Sequence, residues 1–137
     1  MDRPIERDNH CFCCGKDNER GLRLAIKYPE KGTSETSLEV PEYFSGWRKV
    51  THGGFLSTIL DEIMAHACIG IAAGAVTAEM TVRFMKPVTT GSRITARGKV
   101  EETRGRVIHT RGWIYDETGT AAAEATARFV IARKEGT

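Results

Sequence analysis

Proline is scarce in this chain. Only 4 of 137 residues are proline, so glycine, at 14, must make most of the turns. Aromatic residues are few, at 7%. Neither charge sign dominates, because 20 Lys and Arg stand against 18 Asp and Glu, a net charge of +2. A duplex nucleic-acid binder usually concentrates basic charge on one surface, and this balance argues against one. No apolar run reaches the ~18 residues that a membrane span needs. The start, Met1 to Asp8, is charged, with no apolar stretch behind it, and does not read as a secretory leader. The expected location is therefore cytoplasmic, away from membranes. Cysteine is also sparse, at four, and three of the four crowd into Cys11-Phe12-Cys13-Cys14. Such close neighbours are poorly placed to staple a fold, so free thiols or a metal site are expected rather than disulfides.

What is present is an ordinary globular composition, 40% hydrophobic and 28% charged. That excludes a disordered chain or a disulfide miniprotein, and the length suits one domain over 1–137. Residues 1–21 read as an irregular polar segment. Leu22 to Tyr28 alternates apolar and polar side chains, the period of a half-buried strand, and Thr33 to Val40 reads as its hairpin partner. Pro41 to Thr51 reads as a loop. From Gly53 onward Phe55, Leu56, Ile59, Leu60, Ile63, Met64, Ala67, Cys68 and Ile71 recur at spacings of three and four, which predicts one long helix ending near Gly70. Strands follow around Thr77–Phe84, Ser92–Thr103, Val107–Asp116 and Ala121–Arg133, separated by glycine turns.

The order is β-β-α-β-β-β-β, an α+β arrangement. One helix cannot seal a flat sheet of about six strands, but a curved antiparallel sheet wrapped around it can. Ala121, Ala123, Ala125 and Ala127 share one strand face and are expected to let the helix approach. Edge strands left open by such a fold are expected to pair between subunits.

The segment Thr51-His52-Gly53-Gly54 opens the helix with two glycines. Unpaired N–H groups there lie at the positive end of the helix dipole, where a carbonyl oxygen gaining negative charge is stabilised. Asp61 lies at the edge of the apolar stripe, where a carboxylate can serve as base or nucleophile. A His-Gly-Gly helix start and an Asp at a stripe edge are also common in proteins without catalysis.

Taken together, several pieces resemble the hotdog-fold acyl-CoA thioesterases, most closely the phenylacetate-pathway thioesterase group. Cys11-Phe12-Cys13-Cys14-Gly15 with Asn18 and Gly21-Leu22 is similar to the family's opening. His52-Gly53-Gly54 with Leu60-Asp61-Glu62 resembles its central helix. Arg83-Phe84-Met85-Lys86-Pro87-Val88 with Gly91 resembles its following strand and turn. The pieces run in family order over nearly the whole chain.

The resemblance implies roles. Asp61 matches the carboxylate that attacks the thioester or activates water. Gly53 matches the glycine whose N–H polarises the carbonyl, and His52 the histidine that holds the geometry. Thr77 falls where relatives place a hydroxyl, contributed by the other subunit. Gly54, Arg83, Lys86, Arg104 and Arg106 are candidates for substrate contact, the basic ones for coenzyme A phosphates. Where relatives often carry Asn or Gln, this chain reads Ser45-Gly46-Trp47-Arg48-Lys49-Val50, and Cys13 stands where Gly is common.

The implied reaction is hydrolysis of a small or medium acyl- or aryl-CoA thioester, without a cofactor beyond the coenzyme A of the substrate. The implied assembly is a homodimer or a dimer of dimers. A non-catalytic acyl-CoA sensor and a hotdog hydratase or dehydratase are the competing readings. A metal site is not expected. His10, Cys11, Cys13 and Cys14 have no second ligand pair in sequence. Glu62 and His66 read as a surface pair one helical turn apart, with Glu62 an alternative catalytic carboxylate.

Overall fold

The computed structural model describes residues 5–132. Its elements are β1 (Thr33–Glu39), a short 3-10 turn (Glu42–Phe44), β2 (Ser45–Trp47), β3 (Val50–Thr51), α1 (Gly53–Cys68), β4 (Ala75–Phe84), β5 (Arg93–Arg104), β6 (Val107–Tyr115) and β7 (Ala121–Ile131). Five strands form one antiparallel sheet in the order β1-β5-β6-β7-β4, and β2 pairs only with β3. The helix touches all five strands and lies chiefly over β5 and β6. This is the α+β arrangement expected from the sequence.

Three details differ. Leu22–Tyr28 is not a strand. Its alternation is real, since Leu24 is buried and Leu22 and Ile26 are half-buried between exposed neighbours. Arg23, however, takes a positive φ of 50°, which no strand accommodates, and only Lys27 bridges to Glu35. The backbone N–H groups of Leu22 and Leu24 bond instead to the carbonyls of Phe12 and Cys13, 2.8 Å each. The main sheet thus has five strands, not about six. Second, the loop over Pro41–Thr51 contains the 3-10 turn and the β2–β3 hairpin. Third, Ile71 lies beyond the helix and is exposed. Arg133, the expected end of the last strand, falls outside the described residues, as do residues 1–4 of the N-terminal segment.

The close approach of helix to sheet rests on glycine more than on the alanines of β7. Ser34, Gly98, Gly112, Ala125 and Val82 form one row across the sheet. A Cβ on Gly98 would sit 2.5 Å from the Ile63 carbonyl oxygen, and one on Gly112 would sit 3.0 Å from Met64 Cγ. The Ser34 hydroxyl donates to that same Ile63 carbonyl, tying β1 to the helix. Ala123, Ala127 and Phe129 are buried on either side of Ala125, as their shared face predicts, whereas Ala121 is only half-buried. The helix presents Ile59, Leu60, Ile63 and Met64, all fully buried, to the sheet. No helix among the described residues is long and apolar enough to cross a membrane.

Candidate active site

The helix start is built to present one free N–H. His52 is the N-cap, and its Nδ1 accepts the Gly54 N–H at 2.8 Å. The His52 carbonyl accepts from Phe55 and Leu56. Gly53 is the first helical residue, and its N–H finds no acceptor among the described residues. Gly54, expected to contact substrate, has its N–H committed to His52. Its lack of a side chain serves the cap instead, because a Cβ there would lie 2.9 Å from His52 Nδ1. The cap is positioned from outside the helix. His52 N–H donates to the Phe44 carbonyl at 2.8 Å, and the Phe44 ring stacks on Phe55 at 4.2 Å. Gly46 leaves room for it, since a Cβ there would lie 3.2 Å from His52 Cα.

A cavity of about 330 Å³ opens beside Gly53, lined among others by Thr51, Leu56, Phe84, Lys86 and Val88. The Phe84 ring lies 3.4 Å from where a Gly53 Cβ would be, and Phe84 and Met85 are both exposed. Sequence reasoning gave Phe84 no role at the site. The signal available was a large apolar residue inside the Arg83–Val88 motif. Thr51, also overlooked, carries a hydroxyl with no hydrogen-bond partner among the described residues, although it is buried.

Asp61 is half-buried on the flank of α1. The Thr77 hydroxyl, at the start of β4, donates to its Oδ1 at 2.6 Å. Both residues belong to one chain. The expectation that Thr77 reaches Asp61 from another subunit is thereby corrected. The Thr77/Glu79 register shift in the β4–β7 pairing marks the backbone irregularity at this point. Gly53 and Asp61 are eight positions apart on the helix, which is about 12 Å along its axis. A thioester carbonyl held by Gly53 is therefore out of reach of the same chain's Asp61.

Glu62, one residue on, faces the interior and is engaged by His66, whose Nε2 lies 2.8 Å from Oε1. Side-chain exposure of 6% for His66 and 13% for Glu62 overturns their reading as a surface pair.

The basic candidates do not form one cluster. Lys86 lines the cavity beside Gly53 and pairs with Asp116. The Asp116 carboxyl is held well below the usual carboxylate range, first by Lys86 and then by the Thr118 hydroxyl. Arg83 reaches Glu124 at 3.3 Å with most of its side chain exposed. Arg104 pairs with Glu102 at 2.7 Å, and Arg106 donates to the Ile131 carbonyl at 2.7 Å. These two flank the β5–β6 turn, at the end of the sheet where Thr77 lies. Phe55 and Met64 are buried in the core, whereas Trp47 is exposed.

A family model described as the thioesterase superfamily matches residues 49–123, from the approach to the helix through the start of β7. The chain belongs to the thioesterase superfamily. A curated relative, the acyl-coenzyme A thioesterase THEM4 of Xenopus laevis, is 30% identical over 89 residues, 64% of this chain. The match spans only 40% of that relative's length. Among solved structures, smu.793 from Streptococcus mutans, bound to acetyl CoA, superposes with a TM-score of 0.76 at 20% identity, over 81% of this chain and 90% of that one. The E. coli PaaI protein from the phenylacetic acid degradation operon gives 0.76 at 20%, over 82% and 81%. These likenesses cover about four fifths of the chain, and the superfamily match contains all of Gly53, Asp61 and Thr77.

Proposed function

We propose that the chain is an acyl-CoA thioesterase acting on a small or medium acyl or aryl group. The observation that carries this is the carboxylate of Asp61, oriented by Thr77 on an accessible helix flank, on a fold whose helix start offers a free Gly53 N–H. A thioester is an activated acyl group and needs no metal or triad for hydrolysis. Asp61 either takes a proton from water as that water attacks the carbonyl carbon, or attacks the carbon itself to give an anhydride that water then opens. In both routes the C–S bond breaks, the coenzyme A thiolate leaves and is protonated, and a carboxylic acid remains. The developing oxyanion is held by a helix-start N–H.

In this reading the two groups of one catalytic unit, about 12 Å apart along one helix, come from different chains. Asp61 and Thr77 of one copy work with Gly53 of a second, and the long edge strand β4 is the surface available for their pairing. Lys86, beside the Gly53 cavity, is the strongest phosphate contact, with Arg83 three residues before it near the end of β4. His52 serves the reaction by fixing the helix start. The free thiols suit a reducing, cytoplasmic compartment.

The test is release of thiol from a panel of acyl- and aryl-CoA esters. Wild type turns over at least one of them, and Asp61→Ala loses about 10²-fold or more. Equal activity in Asp61→Ala sinks the assignment. Tight binding without turnover favours a sensor, and loss of water from a hydroxyacyl-CoA favours a dehydratase. A single turnover in ¹⁸O-water labels Asp61 only on the nucleophilic route.

A further inference from the structure

The cysteine-rich turn faces a carboxylate that the thioesterase chemistry leaves unused. Cys11 to Cys14 form a tight turn closed by the Gly15 N–H on the Cys11 carbonyl at 2.8 Å. Only glycine fits at its end, since a Cβ on Gly15 would lie 2.5 Å from the Cys11 nitrogen. Cys13 turns inward and is buried in the core. Cys11 and Cys14 turn toward α1, where they meet Glu62. The sulfurs of Cys11 and Cys14 and a Glu62 oxygen all lie within 4.8 Å of one another. Cys11 Sγ is 3.8 and 3.9 Å from the two Glu62 oxygens. A tetrahedral zinc ion, with Zn–S about 2.3 Å and Zn–O about 2.1 Å, places a sulfur and an oxygen ligand about 3.6 Å apart. Cys11 Sγ and Glu62 are within tenths of an ångström of that separation, and Cys14 lies within 4.8 Å of both.

The surroundings are those of a ligand set. Cys13 N–H points at Cys11 Sγ at 3.4 Å, a donor that favours thiolate. Behind Glu62, His66 Nε2 holds Oε1 at 2.8 Å, and the Tyr28 hydroxyl holds His66 Nδ1 at 2.6 Å. With the tyrosine donating to Nδ1, Nε2 carries the proton and donates to the carboxylate, which fixes the ring tautomer and the aim of Glu62. Burial by itself raises the Glu62 carboxyl, but the bonds from His66, then from Cys14 and Cys11, hold it below the usual range. A cavity of about 530 Å³, lined by Glu6, Arg7, Asp8, Asn9, Cys11, Cys14 and Gly15, opens onto the two sulfurs. A disulfide between Cys11 and Cys14 would give no reason for Glu62, brought from 51 positions away, to face Cys11. In sequence no second ligand pair accompanies the cysteines, because the third ligand comes from the helix.

We propose that Cys11, Cys14 and Glu62 bind one divalent cation of the zinc class, with the fourth position open to the cavity. The ion fastens the N-terminal turn to α1 at the residue adjoining Asp61. Binding converts two thiols to thiolates, so each ion releases two protons, and apparent affinity falls about a hundredfold for each unit of pH below neutrality.

The test uses the full chain, reduced and freed of metal by a chelator, titrated with Zn²⁺ against a chromophoric competitor. One equivalent binds, and two protons leave. Co²⁺ in its place gives a thiolate-to-cobalt charge-transfer band. In wild type, Zn²⁺ shields Cys11 and Cys14 from alkylation as read by mass spectrometry, a measurement independent of whether any variant folds. Cys11→Ser and Cys14→Ser each weaken binding about 100-fold or more, Glu62→Gln weakens it about 10-fold or more, and Cys68→Ala leaves it unchanged. Absence of stoichiometric binding in the folded, reduced protein overturns the proposal. So does a Cys11→Ser/Cys14→Ser chain that binds as tightly as wild type, or a cobalt spectrum without the sulfur band.

Discussion

The Thr77 hydroxyl donates to Asp61 Oδ1 at 2.6 Å within a single chain. The bond crosses from the start of strand β4 to the middle of α1, so it fixes one carboxylate oxygen and leaves the other for water or substrate. Thr77→Val keeps the shape and removes the donor. Its expected effect is a loss of about 10-fold or more in kcat with the melting temperature little changed, and Thr77→Ser recovers most of the loss. Steady-state kinetics on all three proteins check this. A Thr77→Val enzyme with wild-type kcat means that Asp61 needs no positioning from β4.

At the helix start, His52 accepts the Gly54 N–H through Nδ1, and Gly54 must lack a Cβ for the ring to sit there. His52→Ala is expected to cost about 1 kcal/mol of stability, the ordinary value of an N-cap. Gly54→Ala should match or exceed that loss, because it displaces the ring while leaving its chemistry intact. Urea unfolding of the two variants measures it. If Gly54→Ala is as stable as wild type, the cap is not holding the helix start.

How much of this was legible in sequence depends on the distance over which each feature is decided. The three- and four-residue recurrence from Phe55 to Cys68 located the helix because burial of one helix face is a local pattern. The glycine turns located β5, β6 and β7 for the same reason. Leu22–Tyr28 shows the limit. Alternation recorded which side chains face inward, but the positive φ of Arg23 and the hydrogen bonds to Phe12 and Cys13 that replace a strand ladder are tertiary facts. The same limit applies at the site. A motif singles out His52, Gly53 and Asp61, whereas Glu62 and His66 read in sequence as a surface pair. Nothing near them in sequence announces that Tyr28 and the cysteine turn cover that side of the helix.

Gly98 is the tightest point of contact between sheet and helix. A methyl group there would lie 2.5 Å from the Ile63 carbonyl oxygen and 2.8 Å from the Ser34 hydroxyl. Both neighbours are held by backbone or by each other, so neither yields cheaply. Gly98→Ala is expected to cost more than about 3 kcal/mol, with much of the protein insoluble. Gly105, at the β5–β6 turn, has open space around it and a φ of 58°, so Gly105→Ala meets only backbone strain and should cost about 1 kcal/mol. Thermal melts of the pair decide it. A Gly98→Ala chain that melts within a few degrees of wild type contradicts the close approach.

Cys68 ends the helix inside the core, and burial pushes its thiol up from the ordinary thiol range to about 12. The folded state therefore keeps this proton while the unfolded chain gives it up above about pH 9. Its contribution to stability is complete below that pH and is lost as pH rises toward 12. The expected slope from this one group is about 1.4 kcal/mol per pH unit in the window. Unfolding free energies of the reduced, metal-free protein at pH 8 to 11 should fall more steeply for wild type than for Cys68→Ala. Parallel curves rule out a neutral buried thiol at this position.

The division of the site between chains can be tested by mixing two dead proteins. Asp61→Asn removes the carboxylate. Gly53→Pro removes the N–H alone, because proline is tolerated at the first helical position and His52, with φ −61° and ψ 132°, already has the extended backbone that precedes proline. Each homodimer should be inactive. Unfolded and refolded together in equal amounts, half the dimers are mixed, and each mixed dimer holds one site with Asp61 from one chain and Gly53 from the other. Activity should return to about a quarter of wild type per chain, the fraction set by random pairing across a two-fold axis. If both groups acted from one chain, every site would carry one defect or the other and mixing would restore nothing. Recovery therefore depends on the 12 Å that separates Gly53 from Asp61 along a single helix.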